Sequence, residues 1–288
     1  MGTEKMSLKF ELIEFSRPIL EFGGSGEFED PRLGLTAGGP FDLRFGAARS
    51  ERVCVGLVGP EEMIDAARAW LIRVQGEMRD PPAVQSYPTF SGFQHVFRSK
   101  LTVAENWTVV LNDAQLSSAL SIQHQGQRFE QVLELYSAGI RHLAKLESTR
   151  PDVVICCLSD EVFLRCRTAA KVLTKQELKE AAAAKKRKAA LQADLFDSTA
   201  IDEPQPEDLL FRDFRRALKA RAMMVGMPIQ IATSKLLIDD KATQGPATRA
   251  WNSSVGLYYK AGGIPWRLKS TGPETCFVGV SFNHIKTT

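Results

Sequence analysis

Residues 52–60 read Arg-Val-Cys-Val-Gly-Leu-Val-Gly-Pro, and an amphipathic segment follows them from residue 61 to about residue 74. The run from 52 to 58 is almost continuously apolar, which is typical of a strand buried on both faces. A strand, a glycine turn and a helix in succession form the opening unit of a parallel α/β sheet. A nucleotide-binding turn would begin in the same way, but no GxGxxG sequence completes it here.

Later segments continue the α/β pattern. Residues 109–111 are apolar enough for a strand, residues 127–146 carry apolar side chains at the helical period, and residues 153–158 (Val-Val-Ile-Cys-Cys-Leu) indicate a central strand. Before these segments, residues 86–97 form a predicted loop held in the core by Tyr87, Phe90, Phe93 and Phe97. We therefore expect an α/β fold, with a parallel sheet flanked by helices.

Composition places the chain among ordinary globular proteins. Its 288 residues are 44% hydrophobic and 25% charged. No apolar run reaches membrane-spanning length and the first residues lack a signal-peptide core, so we expect a cytoplasmic protein without a membrane partner. The five cysteines and four histidines lack metal-ligand spacing, and we interpret the cysteines as buried free thiols. The net charge is only +3, but basic residues concentrate between Arg165 and Lys260.

The basic residues of interest lie in residues 215–263, which read as a basic helix, a turn, a short strand, a loop and a second helix. Arg215 and Lys219 are four residues apart and share one helix face. Gln230 lies in the short strand, and Lys260 lies in the last turn of the second helix. If the two helices pack side by side, these groups converge on a point that suits a phosphate. The alternative, that they are solvated basic faces, stays open on spacing alone.

The order Arg215-x-x-x-Lys219, then Gly-Met-Pro-Ile-Gln230, then Tyr-Tyr-Lys260-Ala-Gly-Gly-Ile-Pro-Trp resembles the MID domain of Argonaute proteins, in particular the short prokaryotic ones. The resemblance implies that Arg215, Lys219, Gln230 and Lys260 hold the 5′-phosphate of a short guide strand, with Mg²⁺ as a candidate ion at that phosphate. Whether the guide is RNA or DNA stays open. The further candidate contacts to nucleic acid are Arg216, Arg221, Thr233, Lys235 and Arg249.

The resemblance also implies a domain organisation. Residues 1–50 would be a lead-in with a strand or extended segment, residues 51–263 a Rossmann-like MID domain, and residues 264–288 the start of a truncated, RNase H-like PIWI domain, with its first strand at residues 276–282. A charged helical insertion and a loop are expected within residues 171–208. Ser281 stands where that family places its first catalytic aspartate, and a serine cannot supply the anionic ligand of a two-metal nuclease. We therefore expect no slicer activity.

The resemblance also implies a partner protein. Short Argonautes of this kind pair with effector chains that carry an APAZ-type region with TIR-like or Sir2-like domains and that act against plasmids and phages. The leading hypothesis is thus a guide-binding module that recognises a complementary target strand together with an effector protein. The alternative is a non-catalytic scaffold, or one subunit of a split Argonaute, whose main role is to bind a partner protein. A third hypothesis, a small-molecule α/β enzyme that uses the turn at Gly59, has only the βα unit in its support.

Overall fold

The computed structural model describes residues 17–24, 26–84, 87–146, 149–170, 183 and 211–269. The predicted charged helix and loop of residues 171–208 lie outside this range, apart from a single residue. The predicted PIWI strand with Ser281 also lies outside it, as do the first sixteen residues of the predicted lead-in.

Strands and helices alternate along most of the chain. The strands are β1 (Leu20–Glu21), β2 (Glu27–Phe28), β3 (Arg52–Gly59), β4 (Lys100–Val110), β5 (Val153–Leu158), β6 (Thr168–Ala170), β7 (Phe211–Asp213), β8 (Ile229–Thr233) and β9 (Arg267–Leu268). The α-helices are α1 (Pro31–Gly38), α2 (Glu61–Arg73), α3 (Phe93–Phe97), α4 (Asp113–Ser121), α5 (Gln125–Ala144), α6 (Asp160–Arg165), α7 (Phe214–Met224), α8 (Ser234–Leu237) and α9 (Pro246–Lys260). Short 3-10 turns occupy Phe41–Ala48, Pro82–Val84 and Asp239–Lys241.

A four-stranded sheet with the order β4-β3-β5-β8 forms the centre of the molecule, and all of its neighbouring strands are parallel. All six residues of β5 are buried, as the apolar run predicted. Val153, Ile155 and Cys157 belong to one apolar core, whereas Val154, Cys156 and Leu158 belong to the other. The predicted α/β fold, a parallel sheet flanked by helices, is confirmed, and it is consistent with a Rossmann-like core.

The two cores lie on opposite faces of the sheet. Helices α2, α3 and α9 contribute to the first, with Trp70, Phe93 and Trp251 among its largest side chains. Helices α4, α5 and α7 contribute to the second, which includes Phe129 and Phe214 in edge-to-face contact. Crossovers that cover both faces are the arrangement that a buried parallel sheet requires. No helix in the described ranges is long and apolar enough to cross a membrane.

Strand β4 is much longer than the three residues predicted for it. It lies at the edge of the sheet and most of its residues are only partly buried, so its sequence lacks a continuous apolar run. Its register against β3 also shifts, because Val55 pairs with Val103 while Leu57 pairs with Thr108. A bulged edge strand carries a weak periodic signal, which explains the short prediction.

The segment before residue 50 and the segment after residue 263 meet in a second, small sheet. Strand β1 pairs antiparallel with β2 on one side and with β9 on the other. Phe22 and Leu35 from the first segment are fully buried in the same core as α9. The described part of the predicted lead-in therefore packs directly on the residues assigned to the MID domain.

Asp42, which is 5% exposed, joins these segments. Its carboxylate accepts hydrogen bonds from Tyr258 Oη at 2.8 Å, from Arg49 Nε at 3.1 Å and from the Ile264 amide at 2.9 Å. Tyr258 is also buried and lies near the end of α9. The carboxylate thus ties the C-terminal end of α9 to the first fifty residues.

We expect the substitution Asp42→Ala to lower the free energy of unfolding by about 3–5 kcal/mol, because it leaves the buried Arg49 guanidinium without its carboxylate partner. Chemical denaturation measures this change. Asp65→Ala is the matched control, since Asp65 is exposed on α2, and it should change stability by less than about 0.5 kcal/mol. Equal effects of the two substitutions would contradict the role assigned to Asp42.

Candidate functional site

Strand β8 is an edge of the central sheet, and α7 and α9 cover its two faces. Ile229 and Ile231 belong to the core on the α7 side. Since side chains alternate along a strand, Gln230 points to the α9 side, where its Oε1 lies 3.6 Å from the position a Cβ would take at Gly256. The predicted amide thus lies against the second predicted helix, on the face of the strand opposite α7.

Helix α7 presents its basic residues on one face because its apolar residues occupy the other. Asp213 caps its N-terminus by accepting a hydrogen bond from the Arg216 amide at 3.0 Å. Phe214 and Leu218 are buried against the sheet, whereas Arg215 and Lys219 are exposed. Arg215 and Lys219 are one turn apart, as the spacing predicted.

Helix α9 begins with Pro246 at its first turn and ends at Lys260. Trp251, Leu257 and Tyr258 bury its apolar face. The chain turns at Gly262, whose φ of +92° suits glycine. Lys260 is therefore held at a helix end that is fixed by packing from one side and by the Asp42 hydrogen bonds from the other.

The structure joins Gln230 and Lys260, and it places Lys219 near enough for its charge to act on Lys260. Lys260 Nζ donates a hydrogen bond to Gln230 Oε1. Burial lowers the pKa of Lys260 from its ordinary value, and the nearby charge of Lys219 lowers it further. Among the residues that the structure describes, no carboxylate forms an ion pair with either lysine. These three residues, the lysine site below, form a partly desolvated concentration of positive charge that an anion would neutralise.

Arg215 is the predicted phosphate ligand for which the structure gives no contact with the lysine site. Its guanidinium carbon lies 5.9 Å from the ring centre of Phe163, and that of Arg167 lies 5.8 Å from the same ring. Phe163 and Arg167 were not predicted as site residues, although the run Val-Phe-Leu-Arg-Cys-Arg at residues 162–167 places an aromatic ring beside two arginines. An aromatic ring with two guanidinium groups is a surface on which a base can stack.

The other predicted contacts divide into accessible and inaccessible residues. Arg216 and Lys235 are exposed, and Thr233 is half-buried at the end of β8. Arg221 lies 3.8 Å from the Glu130 carboxylate on α5, which draws it towards the neighbouring helix.

Arg249 requires a correction, because its side chain is only 4% exposed. It donates to the Leu236 carbonyl at 2.7 Å and to the Asp239 carboxylate, and it lies over the Trp70 ring at 4.8 Å. It is therefore not available on the outer surface as a contact to the phosphates of a nucleic-acid strand.

The turn at Gly59 does not favour a phosphate. Helix α2 starts there without a side-chain cap, but Glu61 and Glu62 occupy its first turn. Two carboxylates beside a helix N-terminus repel an anion that would otherwise bind there. This observation weakens the hypothesis of a small-molecule enzyme at Gly59.

A Mg²⁺ ion does not fit the protein groups of the lysine site. Mg²⁺ requires oxygen ligands, preferably carboxylates, whereas this site offers two ammonium groups and an amide whose oxygen already accepts from Lys260. The described residues also contain no cluster of three or more potential metal ligands. The lysine site therefore offers two ammonium groups and one amide to a ligand.

We expect Lys219→Ala to raise the pKa of Lys260 part of the way towards its ordinary value of 10.5, because the like charge is removed while burial remains. An NMR titration of the Lys260 side chain measures this shift. Lys100→Ala is the matched control, since Lys100 is exposed on β4 at the opposite edge of the sheet. An unchanged pKa of Lys260 in Lys219→Ala would show that the charge of Lys219 does not reach Lys260.

Comparison with known proteins adds no assignment: no protein-family model matches the chain, and a search of curated proteins found no match.

Proposed function

We propose that this chain is the guide-binding module of a short prokaryotic Argonaute and that its lysine site holds the 5′-phosphate of a short guide RNA or DNA. The observation that carries the proposal is the half-buried Lys260 ammonium, hydrogen-bonded to Gln230 and placed beside Lys219 without a carboxylate partner among the described residues. Such a site costs free energy when empty and recovers it when an anion binds.

A terminal phosphate suits this arrangement better than the phosphodiesters within a strand. It carries about −1.5 to −2 charges at neutral pH, whereas an internal phosphodiester carries one. Two ammonium groups match that charge, and the Gln230 amide nitrogen supplies an additional donor. Arg215, one turn from Lys219, would leave the Phe163 ring to add a forked donor, or would stay there and present its plane to the first base.

The remaining parts of the proposal rest on the sequence resemblance. Residues 264–288 would begin a PIWI domain without slicer activity, with Ser281 at the aspartate position, and the described strand β9 would lead into it from its pairing with β1. A complementary target strand and an effector with an APAZ-type region would complete a defence complex. The alternative, a scaffold that mainly binds a partner protein, draws support from Met223 and Met224, which are 78% and 80% exposed at the end of α7.

We expect the wild-type chain to bind a short 5′-phosphorylated oligonucleotide more tightly than its 5′-hydroxyl counterpart. Lys219→Ala or Lys260→Ala should reduce the affinity for the phosphorylated strand about 10- to 100-fold, in line with roughly 1.5–3 kcal/mol for a charged hydrogen bond. Fluorescence anisotropy with both oligonucleotides measures the preference.

Lys100→Ala removes the same charge from the opposite edge of the sheet and should retain the preference for the phosphorylated strand. Equal affinity of the wild-type chain for both oligonucleotides would contradict the proposed 5′-phosphate site and would favour the scaffold alternative.

Phosphate binding should weaken as pH rises towards 10.5. The pKa of Lys260 in the free protein is below 10.5, so this ammonium loses its proton at a lower pH than an ordinary lysine does. The phosphate is already a dianion above about pH 6. The complex needs the protonated lysine, and binding therefore takes up a proton at alkaline pH. Titrations from neutral pH up to about pH 10.5 should show the fall, and Lys260→Ala should flatten it.

The same shift has the opposite effect on the unliganded protein. A lysine whose folded pKa is depressed opposes folding while it is protonated, so stability should rise as pH increases from the depressed pKa towards 10.5. A phosphate affinity that did not depend on pH in this range would contradict a direct role for Lys260.

A further inference from the structure

A cleft of about 810 Å³ opens at the other end of α9 from the lysine site. The length of this 15-residue helix separates the two sites by about 20 Å. One wall comes from the segment after α2, the other from the loop before α9. The residues that define this cleft, called the Tyr87 cleft below, are Pro81, Ala83, Tyr87, Asp239, Thr243 and Pro246, with Thr248 and Arg249 beneath them.

A phosphate is not the ligand that the Tyr87 cleft suits. The N-terminus of α9 lies there, but the protein fills it with its own carboxylate. Asp80 accepts hydrogen bonds from the Ala247 amide at 2.7 Å, the Thr248 amide at 3.3 Å and Thr248 Oγ1 at 2.5 Å. Gly245 permits this approach, because a Cβ at that position would lie 2.2 Å from Asp80 Oδ1. The buried carboxylate satisfies the helix end and would repel a second anion.

The floor of the cleft holds one unsatisfied donor. Arg249 uses its two terminal nitrogens on the Leu236 carbonyl and Asp239, but its Nε is buried and has no hydrogen-bond partner among the described residues. Asp239, half-exposed at the rim, is ion-paired with both Arg249 and Arg73, and these hydrogen bonds lower its pKa. The cleft therefore combines a donor on its floor with a carboxylate at its rim whose pKa is lowered by two arginines.

The walls carry one aromatic ring and apolar proline side chains among polar groups. Tyr87 lines the cleft and also contacts the Arg32 guanidinium, whose carbon lies 3.7 Å from the ring centre. The two faces of an aromatic ring are separate surfaces, so the cation on one face leaves the other for a second planar group. Pro81 and Pro246 provide apolar surface nearby. An aromatic ring in the wall, with hydrogen-bonding groups at floor and rim, suits a planar heteroaromatic ring that carries both acceptors and N–H donors.

We propose that the Tyr87 cleft binds a nucleobase, stacked on Tyr87 with its polar edge towards Asp239 and Arg249. Its volume falls within the range of small-molecule sites, about 300–1,000 Å³. The base belongs either to a free nucleoside or to a nucleotide within a single strand, since both present the same ring. This inference does not depend on the lysine site.

Calorimetric titration of the intact chain with adenosine, guanosine, cytidine and uridine tests the proposal, because nucleosides lack the phosphate that the lysine site would attract. We expect at least one nucleoside to bind and Tyr87→Ala to weaken it about tenfold or more, the usual loss when a stacking partner is removed. Ala83→Trp, at an exposed position of the wall, should abolish binding by filling the cleft without disturbing the core.

Two control variants separate this site from the lysine site. Tyr259→Ala removes a tyrosine that is 68% exposed near the far end of α9, and Lys260→Ala disables the lysine site; both should bind the nucleoside as the wild type does. Failure of all four nucleosides to bind, or binding that Tyr87→Ala and Ala83→Trp leave unchanged, would overturn the proposal whatever the outcome at the lysine site.

A competition arm identifies the source of the base. If a 5′-hydroxyl oligonucleotide displaces the bound nucleoside from the wild-type chain and binds Tyr87→Ala more weakly, the cleft takes a base from a strand. If the nucleoside binds and the oligonucleotide does not displace it, the cleft takes a free nucleoside.

Discussion

Burial of β5 on both faces is the constraint from which the rest of this structure follows. A six-residue strand with every side chain buried requires an apolar layer on each side, so the crossover helices must lie on both faces of the sheet. At the β8 edge these layers are α7 and α9, which place Lys219 near enough to Lys260 for its charge to lower the pKa of that lysine, while Lys260 contacts Gln230. The concentration of positive charge in the lysine site is thus a consequence of how the sheet is wound.

Helix α9 links the two candidate sites, and a buried carboxylate holds it near each end. Asp80 binds the amides of its first turn, and Asp42 binds Tyr258 in its last turns. Both carboxylates come from segments distant in sequence, so the orientation of α9 depends on long-range hydrogen bonds as well as on apolar packing. This placement keeps Lys260 partly buried near another cation. At a flexible helix end, the lysine side chain would instead extend into solvent.

Sequence patterns predicted the buried elements better than the edge elements. The bounds of β5 were predicted to the residue, and α2 and α5 were predicted with small shifts at their ends, because each carries a continuous apolar run or a clear helical period. Strand β4 was underestimated, since its bulge and its exposed edge dilute the pattern. Arg249 was predicted as a surface contact, and only its packing against Trp70 and Asp239 shows that it is internal.

The sequence by itself determined the α/β class, the central strand and the amphipathic faces of α7 and α9, because these depend on local periodicity and propensity. It also placed Arg215 and Lys219 on one helix face. Only the tertiary structure decided that Lys260 contacts Gln230 within reach of the charge of Lys219 while Arg215 lies over Phe163, and that residues near 87 and 245 enclose a cleft. Those relations join elements far apart along the chain, and they are set by how the helices pack on the sheet rather than by any local sequence preference.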